Sequence, residues 1–359
     1  MSKTTVSRLV KELIEEKYLI EVGEGQSKKS GGRKPVLTAL NNSGRYVIGV
    51  DLGVTNTIIA VANINGEILK KIRKPTIRNH NIGGVVSYIS NLVEQITEQA
   101  GIEKSLIKGI GVAIGGVIER ETGIVRFSSN FSWKNVYLKK LLEEKTGLYT
   151  LIDNCTRVMA LGLVWHQKGI SEKNFFFINA GFGIGSSLVI DGSIYDIHSE
   201  FGHIPITYEN VLCQCGKKGC LEAIASGNAI ERKANQLYNT KNSWLTAKNV
   251  AERAKNNEQL AKIVYNEAGG YLGKGISIVA NIFNPKKIII GGGVSQAGDI
   301  LLKPVMESFS KYTMDIIKED IEINISPLGM DGGIYGAITM ILNERIFNIS
   351  IFNKDIPAF

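Results

Sequence analysis

Apolar and polar positions follow two regimes along this chain. At the start, Val6, Leu9, Val10, Leu13 and Ile14 recur at helical spacing behind Ser2, a good N-cap residue, which predicts an amphipathic helix. Lys3, Thr4, Ser7, Arg8 and Lys11 occupy its other faces. Residues 18–22 then read as a short strand, 23–34 as a Gly/Lys/Ser-rich turn, and 36–40 as a returning strand. A helix followed by a basic-tipped hairpin is the second half of a winged helix-turn-helix. Lys3, Thr4, Ser7 and Arg8 would face the major groove, and Lys28, Lys29, Arg33 and Lys34 would meet phosphate or the minor groove. The competing reading is an amphipathic surface helix with a solvated basic loop.

From residue 46 the pattern changes to apolar strands, glycine turns and amphipathic helices. Residues 46–50, 58–64 and 67–71 read as consecutive strands joined by tight turns, 82–99 as a helix, 108–113 as a strand and 138–146 as a helix. Residues 174–195 repeat the first theme of strand, glycine turn and strand, with a further turn at Asp191-Gly192. A later strand, 288–290, runs into Gly291-Gly292-Gly293 before a helix. Two such halves predict a duplicated α/β architecture with a ligand cleft between them. The expected division is 1–45, 46–155 and 156–359.

Composition narrows this picture little. The 359 residues, 44% hydrophobic and 21% charged, are ordinary for a globular protein of two or three domains. No apolar run approaches the ~20 residues of a membrane helix and no signal peptide opens the chain, so a cytoplasmic protein with reduced thiols is expected. The net charge of +8 suits a polyanionic partner without demanding one.

The cysteines are more telling. Cys213-Gln214-Cys215-Gly216-Lys217-Lys218-Gly219-Cys220 gathers three of the four cysteines into eight residues. Three thiolates and one imidazole make a closed tetrahedral site of the structural zinc type. Gly216 and Gly219 can take the positive φ that folds a chain around a metal. A disulfide would be strained at this spacing and would leave one thiol over. His198 and His203 are the nearby imidazoles, and spacing does not choose between them.

The stretch Glu200-Phe201-Gly202-His203, ahead of Cys213-x-Cys215-Gly216-x-x-Gly219-Cys220-Leu221-Glu222, resembles the signature of the ROK family (repressors, open reading frames and kinases). That family comprises sugar kinases and sugar-responsive repressors on the actin/hexokinase-type ATPase fold. Asp51-Leu52-Gly53-Val54-Thr55-Asn56 resembles its first phosphate motif, Gly181-Phe182-Gly183-Ile184-Gly185 its second, and Gly291-Gly292-Gly293-Val294 its adenosine motif. Asn130 with Trp133 resembles its sugar loop, and the segment ending Gly31-Gly32-Arg33-Lys34-Pro35 resembles its repressor branch. The resemblance implies His203 as the fourth metal ligand. It also implies sugar contacts at Asn130, Asn154, Glu200, His203 and Glu222, and nucleotide-motif positions at Asp51, Gly53, Thr55, Gly181, Gly183, Gly185 and Gly292.

Kinases of the family carry a catalytic Asp in an Asn-Asp-Ala-Asn-type segment ending Ala-Leu-Gly-Glu. Alignment on Ala160-Leu161-Gly162 puts Asn154 on the Asn, Cys155 on the Asp and Leu163 on the Glu. A two-residue shift would put Asp153 on the base position and break the other matches. A thiol is a poor general base here, because its pKa of ~8.5 rises further on burial. Phe182 stands where the kinases have Thr, and Val54 where they have Gly. The pattern resembles the xylose-repressor subgroup, which also shares the Trp133-Lys134-Asn135-Val136 segment. The resemblance therefore implies a sugar-responsive repressor without kinase activity, dimeric or tetrameric, binding operator DNA and an aldose, xylose before glucose. The alternative is an ATP-dependent sugar kinase with an altered base. Two helices ordinarily precede a recognition helix, so the gene product is expected to start upstream, with lost DNA binding as the other outcome.

Overall fold

Ser2 Oγ accepts the backbone N–H of Thr5 at 3.2 Å and starts the first helix, Lys3–Glu15. The computed structural model describes residues 2–26, 34–77, 81–166, 172–195, 199–240, 244–348 and 352–353. The helix buries none of its residues, and Val6, Leu9 and Leu13 are all more than a third exposed. It leads into an antiparallel hairpin of Leu19–Glu24 and Val36–Leu40. The hairpin meets the rest of the chain at Tyr18, whose ring has Arg45 and Lys108 over it at 5.4 and 5.3 Å from the centroid.

Two sheets of identical opening topology follow. In the first, Tyr46–Leu52, Asn56–Asn63 and Ile68–Pro75 form an antiparallel meander. Ile107–Ile114 then joins Tyr46–Leu52 in parallel, and Thr150–Asn154 joins beyond it. In the second, Phe175–Ala180, Ile184–Ile190 and Ser193–Tyr195 form the meander, with Lys287–Gly291 and then Glu322–Ile325 added in parallel. Phe352–Asn353 extends this sheet beside Ser193–Tyr195. The same strand order in both halves is the duplication expected from sequence. It is the α/β arrangement of actin- and hexokinase-like proteins.

The halves interlock through two helices. Cys155–His166 follows the last strand of the first sheet yet packs on the second, sharing a core with Phe175, Phe177, Val189 and Ile194. Gly332–Leu342 follows the last parallel strand of the second sheet yet lies across the first, where Gly49 and Gly111 make room for it. The helices cross at Gly162 and Gly336, where any side chain would strike backbone of the opposite helix. A 25-residue helix, Gln259–Phe283, backs the second half. Among the described residues no helix is long and apolar enough to cross a membrane.

Predicted strands and observed ones agree within a few residues. The third strand, expected over 67–71, spans Ile68–Pro75, with its Lys and Arg side chains on the exposed edge of the sheet. The helix at Leu138–Thr146 lies where expected, and the one predicted at 82–99 spans Ile82–Ala100.

Candidate functional site

The strand ends of both sheets, the paired glycine turns and the metal-type loop converge on one cavity of about 320 Å³. Asp51, Gly53 and Thr55 enter from the first meander, and Gly181, Gly183 and Gly185 from the second. Asn130, Asn154 and Cys155 line it, as do Glu200, His203 and Glu222, and Gly292 lines it beside Asn179. Every residue predicted from sequence as a sugar contact or nucleotide-motif position thus lines the same space. Val54 and Phe182 line it too.

Residues 154–157 have a specific local construction. Asn154 Oδ1 accepts the backbone N–H of Thr156 at 2.8 Å and so caps the helix Cys155–His166, while its Nδ2 donates to the Gly116 carbonyl at 2.8 Å. One amide N–H of Asn154 remains for the cavity. Asp153 has no exposed surface and does not line the cavity; its carboxylate accepts the Asn154 backbone N–H at 2.7 Å and lies 3.3 Å from the Arg157 guanidinium. Of these two neighbours, Cys155 lines the cavity and Asp153 does not.

Cys155 sits within 3.9 Å of the Asn179 amide, and burial pushes its thiol up to about 12, with the nearby Asp51 charge adding to the effect. Asp51 is pushed up to about 7, chiefly by burial, with Arg73 opposing and Asp331 reinforcing the shift. Gly333, in the first turn of Gly332–Leu342, leaves no room for a side chain against the Asp51 carboxyl. Asp331 is paired with Lys71 at 2.8 Å.

The metal-type cluster stands beside this cavity. The ligand atoms of His203, Cys213, Cys215 and Cys220 all lie within 4.8 Å of one another. Cys215 Sγ and Cys220 Sγ are 3.7 Å apart, and Cys213 Sγ is 3.6 Å from His203 Nδ1. A tetrahedron with metal–sulfur bonds of about 2.3 Å has edges of about 3.8 Å, so the donor set fits a tetrahedral metal. Gly216 and Gly219 adopt φ of +85° and +75°, as the loop requires. With Nδ1 toward the thiols, His203 turns Nε2 toward Glu200 Oε2 at 3.7 Å, so one imidazole belongs to both cluster and cavity. Glu222 bridges them again: its Oε2 accepts the Ile184 backbone N–H at 2.9 Å and its Oε1 lies 3.8 Å from Cys213 Sγ.

Sequence reasoning missed several cavity residues. Phe127 and Val117, from a small three-stranded sheet, line it, as do Arg73, Asn179 and Gln214. Only Gln214, between two cysteines, carried a signal in sequence. Of the predicted DNA-facing residues, Lys3, Thr4, Ser7 and Arg8 are exposed on the first helix, with Arg8 bonded to Glu12 at 3.2 Å. Lys34 is exposed and paired with Glu24 at 3.4 Å. Lys28, Lys29 and Arg33, like His198, lie outside the described residues.

Comparison with known proteins bears on the family and the fold. A family model described as the ROK family matches residues 47–344. A glucokinase from Halalkalibacterium halodurans is 36% identical, over 82% of this chain and 94% of its own length. A xylose repressor from Caldicellulosiruptor bescii is 30% identical, over 96% of this chain and 90% of its own. Among solved structures, a ROK family transcriptional regulator, a homolog of the Escherichia coli MLC protein, superposes with a TM-score of 0.78 at 24% identity, covering 98% of this chain and 91% of that one.

Proposed function

The chain belongs to the ROK family, and from that premise we propose that it is a sugar-responsive transcriptional regulator that binds an aldose without phosphorylating it. The observation that carries this reading is Cys155. A sugar kinase needs a group that takes the hydroxyl proton at neutral pH, and a thiol pushed up to about 12 stays protonated there. The reach of the comparisons agrees with it. The xylose repressor aligns along 96% of the chain and the glucokinase along 82%, and the family model begins at residue 47. The helix Lys3–Glu15 and its hairpin lie before that point and serve, in this reading, as the partial winged helix that meets operator DNA.

In the cavity, Asn130, the free N–H of Asn154, Glu200, His203 Nε2 and Glu222 supply the mixed donors and acceptors that vicinal hydroxyls need. His203, Cys213, Cys215 and Cys220 would hold zinc, which would supply a structural cross-link that fixes the imidazole. Xylose is the preferred ligand and glucose the next. Sugar closing the cleft between the halves would change the placement of two DNA modules in a dimer or tetramer, releasing operator half-sites.

The second reading is an ATP-dependent aldose kinase, favoured by the 36% identity to a glucokinase. A coupled ADP-release assay with xylose, glucose, fructose and N-acetyl sugars separates the two. The regulator reading expects no sugar-dependent turnover, together with calorimetric binding of an aldose. Turnover of ~1 s⁻¹ or faster would overturn it.

A further inference from the structure

Gln214 is an exposed side chain at the tip of the metal-type hairpin, directly between Cys213 and Cys215, and it lines the cavity. Its backbone is held in place from both sides. Cys213 N–H donates to the Lys217 carbonyl at 2.8 Å, Gly216 N–H to the Cys213 carbonyl at 3.0 Å, and Leu212 bridges Lys218. A metal on the flanking thiols would hold it further. Of the residues lining the same cavity, Glu222 already accepts from Ile184 and Asn154 already bonds Gly116 and Thr156, which leaves each only part of its hydrogen-bonding capacity for a ligand. The Gln214 amide has no hydrogen-bond partner among the described residues.

We infer that Gln214 is a ligand contact and a specificity determinant of the sugar site, carried into place by the metal loop. An uncharged amide offers two donors and one acceptor group, which suits a neutral hydroxylated ligand and gives nothing special to a phosphate. It stands on the same loop as the cluster that orients His203, so metal loading and ligand affinity are linked through a side chain that is not a metal ligand. The inference rests on the reading of this cavity as a sugar site, which it deepens by giving a role to a residue at an unspecified position of the family signature.

The test is calorimetric titration of the metal-loaded full chain with D-xylose and D-glucose, comparing wild type, Gln214→Ala and Lys217→Ala. Metal content by mass spectrometry and thermal midpoint are measured in parallel. Lys217 shares the hairpin without lining the cavity, so it reports on loop structure alone. The expected result is affinity about 3- to 10-fold weaker in Gln214→Ala, the value of one neutral hydrogen bond. Metal content and midpoint should be unchanged, and Lys217→Ala should bind as wild type. Wild-type binding with unaltered affinity in Gln214→Ala overturns the inference alone, as does an equal loss in Lys217→Ala. Failure of wild type to bind either sugar overturns the sugar reading and this inference together.

Discussion

Glu222 joins the metal-type loop to the glycine turn of the second meander, accepting the Ile184 backbone N–H at 2.9 Å beside the Cys213 thiol. Gly183 packs so closely on that carboxylate that no side chain fits between them. Glu222→Ala leaves the Ile184 N–H unpaired at the cavity wall and is expected to cost about 1–3 kcal/mol of stability. Urea denaturation checks this, and sugar binding should fall with it.

Asp51 makes the protein's stability depend on pH in an unusual direction for a carboxylate. Its folded value of about 7 lies above the ordinary 3.8, so the folded state holds the proton where the unfolded chain has lost it. This contribution is fully present below about pH 4 and is lost as pH rises through about 7. Asp51→Asn keeps the shape and removes the titration. Relative to that variant, wild type should lose stability between pH 4.5 and 7.5, by up to about 4 kcal/mol. A curve parallel to that of Asp51→Asn would show that Asp51 titrates normally.

Cys155 should be a sluggish nucleophile. Burial keeps its thiol protonated, so alkylation by iodoacetamide at pH 8 is expected to run about two to three orders of magnitude below a free cysteine. Peptide mass spectrometry of the metal-loaded protein reads this directly, with urea restoring the ordinary rate.

The crossing of the two central helices tolerates nothing larger than glycine. A side chain at Gly336 would collide with the Val158 carbonyl, and Gly336→Ala is expected to destabilise by about 3 kcal/mol or more. Gly270, inside the helix Gln259–Phe283, has open space around it, and Gly270→Ala should stabilise by about 0.5–1 kcal/mol. Denaturant midpoints of the two variants should move in opposite directions.

The strands around the two glycine turns were legible because β-branched runs bounded by glycine leave few alternatives, as at 46–63 and 175–190. The cluster at 213–220 was legible because its donors are adjacent in sequence. His203 against His198 was not decidable from spacing; the fold places His203 Nδ1 at 3.6 Å from Cys213 Sγ. The helices Cys155–His166 and Gln259–Phe283 were hidden for a physical reason. Both are apolar on most faces and carry glycines, at 162 and at 269, 270, 273 and 275, that lower helix propensity; burial overrides it, with Gly269 against Pro304 and Gly273 against Val305. The contributions of Phe127, Arg73 and Asn179 to the cavity were illegible because they depend on long-range docking of separate strands.

The exchange of covering helices between the two halves has a consequence for how such a protein can be cut and rebuilt. Residues 46–154 alone would expose the face of the first sheet that Gly332–Leu342 covers, and residues 172–325 alone would expose the face that Cys155–His166 covers. Each fragment would thus leave an apolar sheet face uncovered, and split versions are expected to recover structure only when co-expressed. Swapping one half between relatives should succeed only when the borrowed helix travels with the sheet it serves rather than with its neighbour in the gene.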